Sequence, residues 1–342
     1  MGLIKWISLS CFAILGVAIT TLVYQANNYP SLAPYESYFK ASIPVSTSIA
    51  DTQNKLVATY LGTSTVVLSD GETTIMTDGF FTRPSVLDLF FGEIMPNKTL
   101  IKEVLQQANI TKLAAVIPVH SHHDHAMDAP EVAMQTGAML VGSESTANIG
   151  RGWGLNENQI EVVNSQAPLQ FGQFKVRLIA SEHAPAPTEI EVLTGAGQSI
   201  SQPLVFPAEL SDFKEGGSYS VLIEHPLGNV LIHGSAGIKA GALAGFKADV
   251  VFLGIAGLGK KDSQYQQQYF KEVVSTVGAT RIVPIHWDDF TRPFNEPLQP
   301  MIKAMDDFDG SMDFIIQKAQ ADNAMSIHML NKMGSMDLYQ AQ

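Results

Sequence analysis

The feature that most constrains this chain is a histidine tract at the end of an apolar strand. Leu113–Val119 reads as a short buried strand and runs directly into His120-Ser121-His122-His123-Asp124-His125. Four of the nine histidines fall within those six residues. Imidazole and carboxylate groups at this density suit zinc, and also iron or manganese. A polar surface tract would bind metal adventitiously, but this one follows a buried-type strand and contains an aspartate. His120, His122, Asp124 and His125 are therefore candidate ligands, enough for two adjacent metals. One site would take His120 and His122, the other Asp124 and His125, and each needs partners from elsewhere. Two more histidines stand at strand ends: His183 after Phe174–Ala180 and His286 after Arg281–Ile285. His123 fills a spacer position and is not counted as a ligand.

The surrounding pattern predicts a layered α/β domain. Thr63–Leu68 and Thr73–Thr77 read as strands joined by Ser69-Asp70-Gly71. Tyr219–Glu224 and Asn229–His233 read as a hairpin around Pro226-Leu227-Gly228, and Met139–Gly142 and Val250–Ile255 as strands. Lys98–Ala108, Ala129–Thr136 and Ser263–Thr276 carry helical patterns. Residues 184–217 are rich in Pro and Gly without strong periodicity, as expected of a lid or insert. The spread of Met301, Met305, Met312, Met325 and Met329 over several segments fits core packing better than copper binding.

The H-x-H-x-D-H motif resembles that of the metallo-β-lactamase superfamily, and the resemblance covers most of residues 55–290. It implies an αββα sandwich with a metal site along one edge. In that family two motif histidines and a later histidine hold one metal, which carries over to His120, His122 and His183. The motif's Asp and last His, with a C-terminal histidine, hold the second, which carries over to Asp124, His125 and His286. Asp78, in Met76-Thr77-Asp78-Gly79, matches an early aspartate that supports the motif loop. The segment His286-Trp287-Asp288-Asp289-Phe290 looks most like the branch related to L-ascorbate-6-phosphate lactonases.

One position departs from the family pattern. A Gly-Asp pair usually follows the strand corresponding to Asn229–His233, and its aspartate bridges the two metals. Here the pair is Gly234-Ser235. A hydroxyl leaves one negative charge fewer between two cations, so the second metal is expected to bind less tightly. His233 is a candidate to compensate as a ligand. A serine-nucleophile reading of His233-Gly234-Ser235-Ala236-Gly237 fails, because the first position of G-x-S-x-G is histidine.

The expected activity is hydrolysis of an ester, lactone, amide or phosphodiester by a zinc-activated water, with one or two zinc ions and catalytic roles for Asp124 and His286. Two alternatives belong to other classes: a degraded, non-catalytic metal-binding protein, and a di-iron redox protein, although no flavin-binding module is seen. Arg83 follows Asp78 closely and is a candidate to hold a substrate carboxylate or phosphate, or else to form an ion pair. Trp287, Asp288, Asp289 and Arg292 are candidates to line the pocket, with packing and capping as the competing roles.

Composition narrows the partners. The chain has 342 residues, one cysteine and a formal charge of −12. This argues against a nucleic-acid surface and excludes cysteine-rich zinc modules, leaving a small-molecule substrate. Met1–Tyr24 reads as an N-terminal hydrophobic helix: Lys5 precedes Ile7–Tyr24, which carries no charge. A signal-anchor is favoured over a cleaved signal peptide, because no good small-residue cleavage site follows. The resulting layout is 1–28 anchor or signal, 29–54 linker and 55–342 catalytic domain. The basic flank orients that domain away from the cytosol, in the periplasm or outside the cell. Cys11 lies in the apolar run, and the sequence is silent on oligomeric state.

Overall fold

The computed structural model describes residues 28–40, 55–163 and 167–339. Met1–Tyr24, including Cys11, and positions 41–54 of the expected linker lie outside these residues. Two sheets of seven strands face each other. The first takes β1 (Val57–Gly62), β2 (Thr65–Ser69), β3 (Thr74–Thr77), β4 (Ala115–Ile117), β5 (Met139–Gly142) and β6 (Ile160–Val162). The second takes β7 (Leu169–Phe171), β8 (Phe174–Ser181), β9 (Ser218–His225), β10 (Gly228–His233), β11 (Val250–Gly254), β12 (Arg281–Ile285) and β13 (Ser326–Ile327). The C-terminal β14 (Gly334–Asp337) returns to the first sheet beside β1.

Each sheet switches from antiparallel hairpins to parallel crossovers. β1, β2 and β3 pair antiparallel, whereas β3 through β6 run parallel. β8, β9 and β10 pair antiparallel, and β10 through β13 run parallel. The residues explain the difference. β11 is Val-Val-Phe-Leu-Gly and is buried throughout, as a parallel strand covered on both faces must be. β7, with exposed Gln170 between half-buried Leu169 and Phe171, is an edge strand.

Helices cover the outer faces. In chain order they are α1 (Val86–Phe91), α2 (Lys98–Gln107), α3 (His123–Ala126), α4 (Ala129–Thr136), α5 (Glu144–Trp153), α6 (Thr188–Thr194), α7 (Ser263–Phe270) and α8 (Phe308–Gln320). Ile101, Val104 and Leu105 of α2 pack with Val132 and Ala133 of α4 over Met76, Val116 and Leu140 of the first sheet. Tyr269 of α7 and Phe308, Met312 and Ile315 of α8 pack against the second sheet's Phe252 and Val283. The result is the αββα sandwich.

Several elements differ from the sequence reading. β2 starts at Thr65, because Thr63 and Ser64 form a buried turn from β1 with Thr63 at φ +50°. The expected helix 263–276 is α-helical to Phe270 and then widens into a π turn over Lys271–Ser275. Positions 29–40 of the expected linker are packed: Ala33–Tyr38 forms a 3-10 helix, and buried Tyr35 meets Phe308 edge-on at 5.2 Å. The insert 184–217 contains α6 and a 3-10 turn, Leu210–Asp212. Its Ile200, Leu204, Ala208 and Phe213 form a third apolar cluster with Phe80, Met127 and Ile149. Its mixed spacing hides this, since the apolar contacts are made across loops rather than along one helix face.

Candidate metal centre

The motif loop is positioned by the end of β4. Pro118 and Val119 carry the chain past Asp78, whose Oδ1 accepts the Val119 N–H at 2.9 Å. The Asp78 N–H donates back to the Ile117 carbonyl at 3.1 Å, and Asp78 itself sits at φ +57°. This clasp fixes where His120 and His122 leave the strand. The chain then turns into α3, which carries Asp124 and His125. β8 brings His183 just past its end, and β12 does the same for His286.

Six expected residues meet in two groups. His120, His122 and His183 form one, and Asp124, His125 and His286 the other; within each group the ligand atoms lie within 4.8 Å of one another. The groups adjoin, with the His120 and His125 rings 3.9 Å apart. In the second group His286 Nε2 lies 3.2 Å from His125 Nε2 and 3.3 Å from Asp124 Oδ2. His125 Nε2 and Asp124 Oδ2 are 3.5 Å apart. Donors about 2.1 Å from a tetrahedral ion stand roughly 3.4 Å from one another, so these three edges fit a metal.

Hydrogen bonding selects the free nitrogen of each ring. Asp78 Oδ2 lies 2.7 Å from His125 Nδ1, which leaves Nε2 for the group. His183 donates from Nδ1 to the Ala184 carbonyl at 2.9 Å, again leaving Nε2. His122 donates from Nε2 to the Thr194 carbonyl at 3.1 Å, leaving Nδ1. Both nitrogens of fully buried His120 lack any partner, and so does His286 Nδ1. A buried imidazole with two unpaired nitrogens is costly unless a ligand completes it. The donor set therefore fits one or two divalent metals.

Electrostatics point the same way. Burial, and then the neighbouring rings, hold His120 and His122 well below the ordinary imidazole value; His183 is lowered too, chiefly by burial. Burial alone would raise the Asp124 carboxyl, but His125, His286 and His123 hold it well below the usual carboxylate range. Burial would likewise lower His125, yet Asp78 and Asp124 outweigh it and the ring is raised. His120, His122 and His183 are thus held neutral beside an ionised carboxylate, the protonation states a metal needs, whereas His125 must release a proton to bind one.

Other expected residues do different work. Arg83 takes the ion-pair role: its guanidinium pairs with Asp288 Oδ2 at 2.6 Å, with both side chains buried. Gly62 makes the room, since a Cβ there would lie 2.1 Å from Arg83 Nη2. Asp288 is buried in the same pair. Its Oδ1 accepts from the Tyr60 hydroxyl at 2.8 Å and the Thr63 N–H at 2.7 Å. A buried carboxylate needs this cation and these donors, and Arg83 holds it below its ordinary value against the opposing effect of burial. Trp287 packs among Tyr60, Phe39 and Phe308, Asp289 caps Thr291, and Arg292 pairs with Glu296.

Ser235 lies beside the loop that carries His183, where its Oγ accepts the Ala184 N–H at 2.9 Å. His233 is not available as a compensating ligand. Its Nε2–H donates to the Gly237 carbonyl at 3.0 Å, and its Nδ1 lies 2.7 Å from the Ser220 hydroxyl. His123 is in neither ligand group; its Nδ1 lies 3.7 Å from Asp124 Oδ1, and its ring sits among those of Phe80, Phe213 and Phe290.

Four supporting residues carry no local signal in the sequence. The Thr63 carbonyl accepts the His286 N–H, and the Asp128 carboxylate, just after the motif helix, accepts the Phe81 and Thr82 N–H groups. Lys214 and Glu215 of the insert accept from Ser121 through their carbonyls, at 2.6 Å from Oγ and 2.9 Å from N–H.

No protein-family profile matches the chain. It is similar to the UPF0173 metal-dependent hydrolase YtkL of Bacillus subtilis (strain 168), at 22% identity over 236 residues, covering 68% of this chain and 86% of that protein. Among solved structures it resembles Igni18, a metallo hydrolase of Ignicoccus hospitalis KIN4/I, with a TM-score of 0.50 and 16% identity over 84% of this chain and all of that one. It also resembles CmlA, a diiron β-hydroxylase of Streptomyces venezuelae, with a TM-score of 0.53 and 14% identity over 83% of this chain and 54% of that one. The sandwich, the motif with its two groups of three ligand residues, and these likenesses together show that the chain has the metallo-β-lactamase fold and is similar to metal-dependent hydrolases.

Proposed function

We propose that the chain hydrolyses an ester, lactone, amide or phosphodiester of a small molecule, with zinc as the resident metal. The observation that carries this reading is the convergence of two complete ligand groups around a buried imidazole with no partner of its own. His120, His122 and His183 would hold one ion; Asp124, His125 and His286 would hold the other. When bound, the metal supplies Lewis acidity, which brings the pKa of a coordinated water toward about 7 and polarises the substrate oxygen. Asp124 orients the attacking water and takes its proton at a carboxylate oxygen, which its histidine neighbours keep ionised. His286 completes the second group, or donates a proton to the leaving group where that group is not filled. The insert 184–217 shields the first group and excludes water around it.

Five imidazoles against one carboxylate favour zinc over the carboxylate-richer sets that suit a di-iron redox centre. Lactones and phosphate-bearing esters head the substrate panel, following the resemblance around His286. Met1–Tyr24 tethers the domain to a membrane and places it outside the cytosol; its uncharged run and basic flank support this. Among the described residues, no helix is long and apolar enough to cross a membrane.

Chelation followed by zinc addition tests the reading. Hydrolysis of the panel should vanish and return, and elemental analysis should find zinc. Activity that survives complete metal removal would sink it, and iron at full occupancy would move it to redox chemistry. Ser235 in place of a bridging carboxylate sets the stoichiometry between one and two ions per chain when metal is limiting.

A further inference from the structure

Among the described residues, α1 carries an apolar stripe that faces solvent. A capping box between Ser85 and Asp88 starts the helix, and Leu89 buries its inner side. The outer positions are Val86, Leu87, Phe90 and Phe91, in which Leu87 stands three and four residues before Phe90 and Phe91, and Val86 four before Phe90. Leu87 is 70% exposed and Phe91 87%. Met95 and Val192 are also exposed. Val192 belongs to α6, whose Leu193 shares a groove with Phe90 and Phe91. Large apolar groups gathered this way mark an interaction surface rather than chance exposure.

The path of the chain names the partner. The Asn28 carbonyl accepts the Lys303 N–H at 2.9 Å, and the Arg292 guanidinium lies 5.3 Å from the Tyr29 ring centre. The residues after Arg292, Pro293 to Asn295, form one wall of a cleft of about 690 Å³. Ser85, Asp88 and Met95 form the other. The described chain thus begins on the side of the fold that carries α1. From Tyr24 to Asn28 the backbone spans at most about 14 Å. A bilayer holding the uncharged run Ile7–Tyr24 therefore lies against this side.

We propose that the α1 stripe, with Met95 and Val192, seats in the headgroup–acyl boundary of a zwitterionic bilayer. This rests on the anchor reading of Met1–Tyr24. Asp88, Glu93 and Glu209 flank the stripe, so apolar burial drives the contact and anionic lipid does not. α6 stands between the bilayer and the metal centre: Leu193 adjoins the stripe, while the Thr194 carbonyl holds His122.

The full chain, with Cys11→Ser, is labelled with an environment-sensitive fluorophore at Phe91→Cys or Met95→Cys, and at exposed Lys271→Cys, outside the stripe, as control. It is mixed with phosphatidylcholine vesicles, with and without doxyl-labelled lipid. Flotation with the vesicles, and quenching at 91 and 95 at least twofold greater than at 271, are expected, unchanged by high salt. Leu87→Ser with Phe90→Ser should bring quenching at 95 down to the control. A chain that floats with equal quenching at all three positions overturns the docking alone. One that does not float overturns both docking and anchor. Contact that requires anionic lipid, or a label shielded from water yet unquenched by lipid, also overturns the proposal; the latter assigns the stripe to a second copy of the chain.

Discussion

The His286 N–H donates to the Thr63 carbonyl at 2.6 Å, and both residues hold positive φ, +53° and +50°. Two left-handed residues facing one another lock the end of β12 against the β1–β2 turn. Thr63 is in turn fixed by its own N–H to Asp288, which Arg83 neutralises. His286 is thereby placed through a chain of contacts that reaches across both sheets.

Asp288→Ala leaves Arg83 buried and unpaired, and should lower unfolding free energy by about 3–5 kcal/mol. Pairing it with Arg83→Met should restore much of that stability. The second ligand group should nevertheless stay weak, because Thr63 has lost its anchor. Denaturant melts and metal content, measured on both variants, check this. Full recovery of metal in the double variant would reduce Asp288 to charge compensation.

Asp78 supports the motif from both sides, accepting from Val119 and meeting His125 Nδ1. Asp78→Asn keeps the shape and removes the charge that orients the ring. Metal affinity should fall about 10- to 100-fold, as for other partners of metal-bound histidines. Competition with a chromogenic chelator measures it, and an unchanged affinity would contradict the role.

Gly237 is required by a close approach. A Cβ there would stand 1.8 Å from the Glu182 carbonyl oxygen and 2.6 Å from the His183 carbonyl carbon. Gly237→Ala must push the 182–183 backbone away and displace His183. The expected result is about 1–3 kcal/mol of lost stability and weaker metal binding at the first group. Thermal melts with and without zinc separate the two effects.

His233 makes acid stability testable away from the metal ligands. Burial lowers its pKa from 6.5 to about 4. Between those values the unfolded chain binds a proton that the folded chain refuses, so stability falls as pH drops through that window. The gap corresponds to about 3 kcal/mol, fully present above pH 6.5. Urea melts from pH 4 to 7.5 should show a shallower slope for His233→Gln than for the parent protein. Equal slopes would exclude the contribution.

The motif loop, the strand before it and the six candidate ligands were legible because they depend on local pattern: an apolar run, a fixed spacing, and histidines at strand ends. Tertiary structure decided the remainder. Arg83 and Asp288 are far apart in sequence, and only the meeting of the loop after β3 with the loop after β12 makes them a buried pair. β1 pairs with β14 from the other end of the described chain, so neither segment announces itself alone. The insert 184–217 lacks periodicity because its apolar residues meet Phe80, Met127 and Ile149 rather than one another along a helix. Ligand chemistry is written in short-range spacing, whereas the orientation of each ligand depends on hydrogen bonds between segments that only folding brings together.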